Sequence, residues 1–262
     1  METMKRQNTT EAGSISGTST NRLKLEVKNI EKIFTLHQRD GIQVSGFSDV
    51  SFSVNRGELL ALTGASGAGK SSVLKTIFRT YLASCGGIYF YRQNGLVVDL
   101  VSCTESRILA LRKQEMGFVT QFLKVLPRVT ALQAVAAPLL ELGEDKLSAY
   151  SKAANLLEFL GIREELFHVS PLTFSGGEQQ RVNIARGVIA PKELLLLDEP
   201  TASLDEQSSD RVLSLLMGLK KKGIAMIGIF HDKQKIAKVA DVICSVGRDC
   251  REESVILQRE AA

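Results

Sequence analysis

Residues 64–71 read Gly-Ala-Ser-Gly-Ala-Gly-Lys-Ser. This stretch follows an apolar run at residues 58–63 and precedes helical spacing, so it predicts a glycine-rich loop between a strand and a helix. Glycines let the backbone curl closely around phosphate oxygens, and the helix start adds partial positive charge. We therefore expect Lys70 to reach the outer phosphates of a nucleotide and the Ser71 hydroxyl to ligate Mg²⁺. A glycine-rich turn without a ligand is the alternative, which the Lys-Ser pair disfavours.

Two carboxylates follow a second apolar run, at residues 194–200, which reads Leu-Leu-Leu-Leu-Asp-Glu-Pro. Four leucines in a row are typical of a strand that is covered on both faces of a parallel sheet. Ligands bind where the strands of such sheets end, so we expect Asp198 to hold the metal shell. Glu199 is then placed to orient or deprotonate an attacking water. Two acidic residues at a turn are common by themselves, and the phosphate loop is what favours the catalytic interpretation.

A third motif, at residues 175–181, reads Ser-Gly-Gly-Glu-Gln-Gln-Arg and predicts the start of a helix. Ser175 and Glu178 have the spacing of a capping box, a structural role that implies no ligand. The intervening glycines expose backbone amides, however, and these make a second anion site. The two interpretations are compatible, because a serine hydroxyl can accept one hydrogen bond while it donates another. Gln121, His231 and the Ser-Leu-Asp run at 203–205 are weaker signals when each is taken alone.

The composition, with 44% apolar and 24% charged residues, is that of a globular protein that can bury a full core. It excludes a wholly disordered, collagen-like or disulfide-framework chain. The net charge of +4 is too small to indicate a nucleic-acid partner. Cys85, Cys103, Cys244 and Cys250 lack metal-ligand spacing, so we expect reduced thiols in a cytoplasmic protein. No apolar run approaches the roughly 20 residues of a membrane span, so we expect no direct membrane insertion.

The pattern along the chain predicts an α/β fold. Apolar and polar residues alternate at 23–30 and 47–54, which favours strands, and an Asn-Gly pair at 94–95 favours a β-hairpin. Helical spacing dominates residues 130–162. The C-terminal third then alternates between helices and apolar strands, which indicates a parallel sheet. We therefore expect an antiparallel β subdomain joined to a parallel core.

The expected domain organisation is a short leader followed by one domain. Residues 1–22 are rich in Ser, Thr, Asn and Gly and lack the apolar stretch of a signal peptide, so we expect a disordered leader there. The domain would span residues 23–262, with a helical insert at about residues 125–175 that interrupts the α/β core.

Together and in this order, the motifs resemble the nucleotide-binding domain of ABC-type ATPases, a family of P-loop NTPases. The resemblance implies ATP and Mg²⁺ as cofactors and ATP hydrolysis as the activity. It also implies a second ABC ATPase subunit, either a copy or a related paralogue, as dimer partner. It implies that Gln121 and His231 act beside Glu199 in catalysis, and that Gln121 joins Ser71 and Asp198 at the metal.

The resemblance also implies a set of nucleotide-binding residues, drawn from an adenine-stacking position, the phosphate loop, the third motif and the Ser-Leu-Asp run. This set comprises Phe34, Gly64, Ser66, Gly67, Ala68, Gly69, Lys70, Ser71, Ser72, Ser175, Gly176, Gly177, Glu178 and Asp205. Three positions depart from the family pattern. Phe34 stands where Tyr is commoner, Phe174 where Leu is usual, and Glu178 where Gln is usual. Since Phe still stacks and Glu still caps, we expect activity to survive.

A narrower resemblance is to the PhnL family, ABC-type subunits of the bacterial phosphonate carbon–phosphorus lyase system. It is carried by residues 36–41, 121–128, 173–187 and 228–232. It implies lyase subunits as partners and a role in phosphonate breakdown. The alternative is the ATPase subunit of an ABC transporter, bound to membrane permease subunits. A third possibility is a nucleotide-gated assembly module, which the presence of Glu199 disfavours.

Overall fold

The computed structural model describes residues 22–36, 42–247 and 252–253. The expected leader lies outside the described residues except for its last position, and Cys250 lies outside them too. The described strands are β1 (Leu23–Leu36), β2 (Ile42–Asn55), β3 (Leu59–Thr63), β4 (Cys85–Tyr91), β5 (Val97–Asp99), β6 (Met116–Val119), β7 (Leu194–Asp198), β8 (Ala225–Ile229), β9 (Val242–Ser245) and β10 (Glu252–Glu253). The described α-helices are α1 (Lys70–Ile77), α2 (Glu105–Gln114), α3 (Ala131–Glu141), α4 (Lys146–Phe159), α5 (Gly176–Val188), α6 (Glu206–Lys221) and α7 (Lys233–Val239).

The first sheet is antiparallel and has the strand order β2-β1-β4-β5. The predicted hairpin joins β4 to β5, with Tyr91 opposite Val97. Its turn is closed by a hydrogen bond of 2.9 Å from the Arg92 N–H to the Leu96 carbonyl, and Gly95 has a φ of 81°. A glycine adopts that left-handed conformation at little cost, so the Asn-Gly signal is confirmed.

The second sheet has the strand order β10-β9-β3-β8-β7-β6, and its strands from β9 to β6 pair in parallel. Every residue of β7 and β8 is buried. Because side chains alternate along a strand, Leu195 and Leu197 pack into one core with the C-terminal helices. Leu194 and Leu196 pack into a second core with α1 and the antiparallel sheet. The four leucines therefore do cover both faces of one strand, as predicted.

Helices α3 and α4 lie between β6 and α5, in the region where the sequence predicts helical structure. A capping box starts α3, since Thr130 accepts from the Gln133 N–H while Gln133 accepts from the Thr130 N–H. Two short 3₁₀ turns, Glu164–Leu166 and Pro171–Thr173, lead from α4 to α5. Among the described residues, no helix is both long enough and apolar enough to cross a membrane.

The parallel sheet brings distant segments to one edge. Strands β3, β8, β7 and β6 are neighbours and run in the same direction, so their carboxyl ends meet at the same side. The glycine-rich loop follows β3, His231 comes shortly after β8, Glu199 follows β7, and Gln121 comes shortly after β6. This edge is where the candidate site lies.

Candidate active site

The glycine-rich loop needs glycine for conformational and for steric reasons. Gly64 has a φ of 132° and Gly69 a φ of 91°, both in the region that L-residues rarely adopt. A Cβ on Gly69 would lie 2.0 Å from the Gly46 carbonyl oxygen, and one on Gly64 would lie 2.4 Å from that of Val246. The loop can therefore form only when these positions carry no side chain.

Lys70 is buried at the first turn of α1, where its ammonium group is held by the loop itself. Its Nζ donates to the carbonyl oxygens of Gly64 and Ala65, both at 2.9 Å. These two acceptors are neutral, so they take up two of the three N–H donors of the ammonium group without balancing its charge. An anionic phosphate in the loop would balance it, which is the role that the sequence predicts.

Ser71 and Asp198 lie together and fit a magnesium site. The Ser71 hydroxyl donates to Asp198 Oδ1 at 2.9 Å, and Asp198 is only 3% exposed. Burial raises the pKa of Asp198, while the Ser71 hydrogen bond and the Lys75 charge oppose that shift. Mg²⁺ prefers oxygen ligands and takes one or two carboxylates together with phosphate and water. The described residues contain no cluster of three or more His, Cys, Asp or Glu side chains that could hold a metal ion by themselves.

Glu199, which follows β7, contacts residues that lie just after β6 and β8. The Gln121 amide donates to Glu199 Oε2 at 3.3 Å, and His231 Nε2 lies 2.6 Å from Oε1. A carboxylate only accepts hydrogen bonds, so His231 can bond to it through Nε2 only as the donor. Glu199 also has a φ of 53°, an unusual conformation for a residue with a side chain. The structure thus brings together the three residues that the sequence assigns to catalysis.

Helix α5 supports this arrangement through two buried side chains that the sequence analysis missed. The Gln180 amide reaches the carbonyls of Glu199 at 3.4 Å and Pro200 at 3.3 Å. Three residues further along the helix, the Asn183 amide donates to the Thr120 carbonyl at 2.5 Å. Polar residues three apart on the buried face of a helix are the signal that could have found them.

The third motif forms the expected capping box at the start of α5. The Ser175 hydroxyl accepts from the Glu178 N–H at 3.4 Å, and Glu178 Oε2 accepts the Ser175 N–H at 3.0 Å. The structural interpretation is therefore confirmed, and the anion site stays a prediction. Within the described residues, no hydrogen bond joins Ser175 to the phosphate loop or to Glu199. A Cβ on Gly177 would lie 3.0 Å from the Ser203 carbonyl oxygen, so this motif lies against the Ser-Leu-Asp run.

Asp205 is the N-cap of α6. Its carboxylate accepts the Ser208 N–H at 2.8 Å and the Ser208 hydroxyl at 2.9 Å, with Arg181 Nη1 at 3.9 Å. These hydrogen bonds lower the pKa of Asp205, and the one from the Ser208 N–H has the largest effect. Asp205 thus has a structural role here, and its contact with nucleotide stays a prediction.

Phe34, for which the resemblance implies adenine stacking, lies close to the phosphate loop, and its contact with a nucleotide stays a prediction. Its ring meets Tyr81 edge-on with centroids 5.2 Å apart, and Lys32 Nζ lies 5.2 Å from its centroid. A Cβ on Gly46 would lie 2.5 Å from the Phe34 ring, and the Gly46 carbonyl borders Gly69. Of the remaining predicted residues, Ser66 is exposed, Ala68 packs partly against the core, and Ser72 lies in the first turn of α1.

The sequence of this chain is similar to a known protein family and to individual proteins of known role. A family model described as ABC transporter matches residues 47–202. The lipoprotein-releasing system ATP-binding protein LolD of Shewanella frigidimarina (strain NCIMB 400) is 36% identical, covering 84% of this chain and 89% of LolD. The macrolide export ATP-binding/permease protein MacB of Pectobacterium atrosepticum is 34% identical over 93% of this chain. This chain spans only 37% of MacB.

Solved structures give the same architecture. The dimeric structure of a bacterial ABC transporter cassette has a TM-score of 0.79 and 25% identity, covering 88% of this chain and 98% of the cassette. A dimeric ATP-binding cassette in a post-hydrolysis state, bound to ADP and inorganic phosphate, has the same TM-score and coverage at 24% identity.

Proposed function

Because this chain belongs to the ABC transporter family, we propose that it is a Mg²⁺-dependent ATP hydrolase that works as a dimer and drives a partner assembly. Its fold is that of an ABC-type P-loop NTPase, as the sequence predicts. The observation that carries the proposal is the convergence of Gln121, Glu199 and His231 beside the Ser71–Asp198 pair, at the sheet edge that bears the phosphate loop.

In this mechanism, the chain's own residues have separate tasks. Lys70 would exchange the loop carbonyls for phosphate oxygens. Ser71 and Asp198 would hold Mg²⁺, which would supply positive charge beside the phosphates. Gln121 and His231 hold the Glu199 carboxylate, which accepts the proton of the attacking water.

Replacing Glu199 by Gln tests this proposal. The amide cannot take a proton from water, so hydrolysis should slow by roughly 10²–10⁴ while ATP still binds. Lys70→Ala should instead weaken ATP binding itself. The measurements are steady-state phosphate release and equilibrium binding of a fluorescent ATP analogue. Glu158→Gln, an exposed change on α4, is the control. Normal phosphate release from the Glu199→Gln protein would show that another group is the base.

The partner assembly would dock beside Gln121, where apolar side chains are exposed. Phe122 is 70% and Leu126 74% exposed. A hollow of about 420 Å³ adjoins them, lined by Lys124, Val125, Leu126, Val129, Ala134, Ala137 and Arg186. Apolar surface bordered by cations is typical of a protein interface. The loop that forms this surface begins at Gln121, which donates to Glu199, so a partner bound there can respond to the state of the site.

The similarity to LolD and MacB favours a membrane permease as this partner. LolD is the ATP-binding protein of a lipoprotein-releasing system, and MacB joins an ATP-binding part to a permease in one chain. We propose by analogy that this chain serves a transporter as its ATPase subunit.

The carbon–phosphorus lyase system is the second candidate. The observation in its favour is the PhnL-like sequence at residues 121–128, on the proposed docking surface, and at residues 173–187 around α5. Part of a further PhnL-like stretch, residues 37–41, lies outside the described residues. The relatives compared above are transporter ATPases, so the lyase role stays a prediction.

A deletion strain separates the two candidates. A lyase subunit would be needed for growth on a phosphonate as sole phosphorus source, even when the phosphonate is already inside the cell. The chain would then fractionate with the cytosol. A transporter subunit would sediment with membranes, and its loss would leave the metabolism of internal phosphonate normal.

A further inference from the structure

The capping box at the start of α5 occupies the one proton of the Ser175 hydroxyl. That hydroxyl donates to Glu178 Oε2 at 2.7 Å, and the same oxygen accepts the Ser175 backbone N–H. Ser175 therefore presents only lone pairs to a group that approaches from outside. A phosphate oxygen also presents lone pairs, so it can bond to Ser175 only after the proton turns away from Glu178.

Glu178 also brings a negative charge to this helix start. Hydrogen bonds from Ser175, assisted by the charges of Arg181 and Arg163, lower the pKa of Glu178 and keep it ionised at neutral pH. No Lys, Arg or His nitrogen of the described residues lies within 4.0 Å of its carboxylate. Arg181, one turn along the helix, points instead to Ser208 at 2.7 Å. The carboxylate therefore has no direct counter-ion.

The helix start is also open to a second molecule. Ser175 and Gly176 are exposed, and a Cβ built on Gly176 would meet no atom within 4 Å. Nothing in the described part of this chain covers these amides. An incoming phosphate would reach the Ser175 hydroxyl and the Glu178 charge at the same time.

We propose that Glu178 is a positioning residue that opposes closure of two chains around ATP and so sets the ATP concentration at which the dimer forms. The inference rests on the proposed function as a dimer. It takes Ser175 and the neighbouring glycine amides, which the resemblance assigns to nucleotide binding, as the groups that receive the phosphates of ATP held by the partner chain. Glu178 disfavours closure in two ways, because it retains the Ser175 proton and repels the phosphates. A neutral amide at this position keeps an acceptor for the cap but carries no charge.

The test compares Glu178 with Glu178→Gln in the Glu199→Gln background, where slow hydrolysis lets the ATP-bound dimer accumulate. The readout is the ATP concentration for half-maximal dimerisation, followed by light scattering. At low salt that concentration should fall by about tenfold in the Glu178→Gln protein. At high salt the difference should shrink, because ions screen the repulsion between charges near the surface.

Two controls isolate the charge. Glu158→Gln removes one charge from α4 and should leave the ATP requirement unchanged. Glu178→Ala removes both the charge and the side-chain half of the capping box, while the backbone N–H of residue 178 can still donate to the Ser175 hydroxyl. It should therefore also lower the ATP requirement, and circular dichroism will show whether each variant is folded. An unchanged or higher ATP requirement in folded Glu178→Gln and Glu178→Ala proteins would overturn the inference while leaving the proposed dimer intact. If every variant binds ATP but none self-associates, the proposed homodimer fails, and the inference fails with it.

Discussion

Two glycines of the phosphate loop share a backbone conformation but not their surroundings. Gly67 and Gly69 have φ values of 79° and 91°. A Cβ on Gly69 would collide with the Gly46 carbonyl at 2.0 Å, whereas one on Gly67 would meet nothing within 4 Å. Gly67 is therefore required only for its backbone conformation, whereas Gly69 is required both for its conformation and because a side chain would not fit.

This contrast predicts different effects of alanine. Gly67→Ala should cost only the left-handed strain, about 1–2 kcal/mol in the free energy of unfolding. Gly69→Ala adds a backbone collision that no side-chain rotation relieves, so it should cost more than about 3 kcal/mol or prevent folding. Urea unfolding of the two variants measures the difference. Equal losses of stability would mean that the loop moves away from Gly46 freely.

The role of a single residue was predictable where the residue belongs to a sequence motif whose pattern indicates a particular chemistry. Lys70, Ser71 and Glu199 are defined by the loop and strand that surround them in sequence. For Gln180 and Asn183, the spacing on the helix could have indicated buried polar side chains, but it could not identify their partners, which are carbonyls just beyond the ends of β7 and β6. Such roles depend on how α5 packs, which local patterns do not encode.

At the element scale, a buried ion pair ties the first sheet to the second. The Lys24 side chain, at the start of β1, is fully buried and contacts the Glu193 carboxylate just before β7. Its Nζ also donates to the Tyr91 carbonyl at 2.6 Å, and Arg56 lies 4.0 Å from Glu193. Burial lowers the pKa of Lys24, although Glu193 opposes the shift.

Replacing Lys24 by Met tests how much this ion pair contributes to stability. Methionine keeps the apolar stem but leaves Glu193 with only Arg56, so the protein should lose about 3 kcal/mol in the free energy of unfolding at neutral pH. Urea unfolding measures this loss. Lys28→Met, which removes a surface pair with Glu26, is the control and should have a smaller effect.

The pH dependence of the same variant has a definite sign. Because the pKa of Lys24 is lowered in the folded protein, the unfolded chain binds more protons between that pKa and the ordinary value of 10.5. Stability from this group therefore rises with pH through that window. The native protein should gain stability relative to Lys24→Met as alkaline pH approaches 10.5. A constant difference across this range would mean that the Lys24 pKa is not shifted.

The periodicity of apolar residues predicted whether most segments form a helix or a strand, but it did not predict where those helices and strands end. The predicted strand at residues 23–30 is the first part of β1, which continues to Leu36 because its later residues pair with β2. Helix α2 was missed, since only Ile108 and Leu111 of its ten residues are buried and its apolar pattern is weak. Tertiary contacts decide both cases.

At the scale of the whole molecule, the predicted nucleotide site is divided. Phe34 lies close to the phosphate loop, and Ser71 of that loop bonds to Asp198 beside Glu199, whereas the Ser175 hydroxyl makes its described hydrogen bonds to Glu178 alone. The family resemblance implies that both sets bind one nucleotide. A second chain, related by symmetry, would supply the Ser175 that each phosphate loop lacks.

The composite site is tested most directly by mixing two inactive variants. Lys70→Ala removes the phosphate-binding cation, and Ser175→Arg blocks the helix start, so each homodimer should hydrolyse ATP far more slowly than the native protein. In a mixed dimer, one site combines an intact Lys70 with an intact Ser175. With random pairing, such sites are about a quarter of all sites, so the mixture should recover about a quarter of native activity. Phosphate release from the mixture is the decisive measurement. A mixture that stays as inactive as its components, although the two chains associate, would contradict the account.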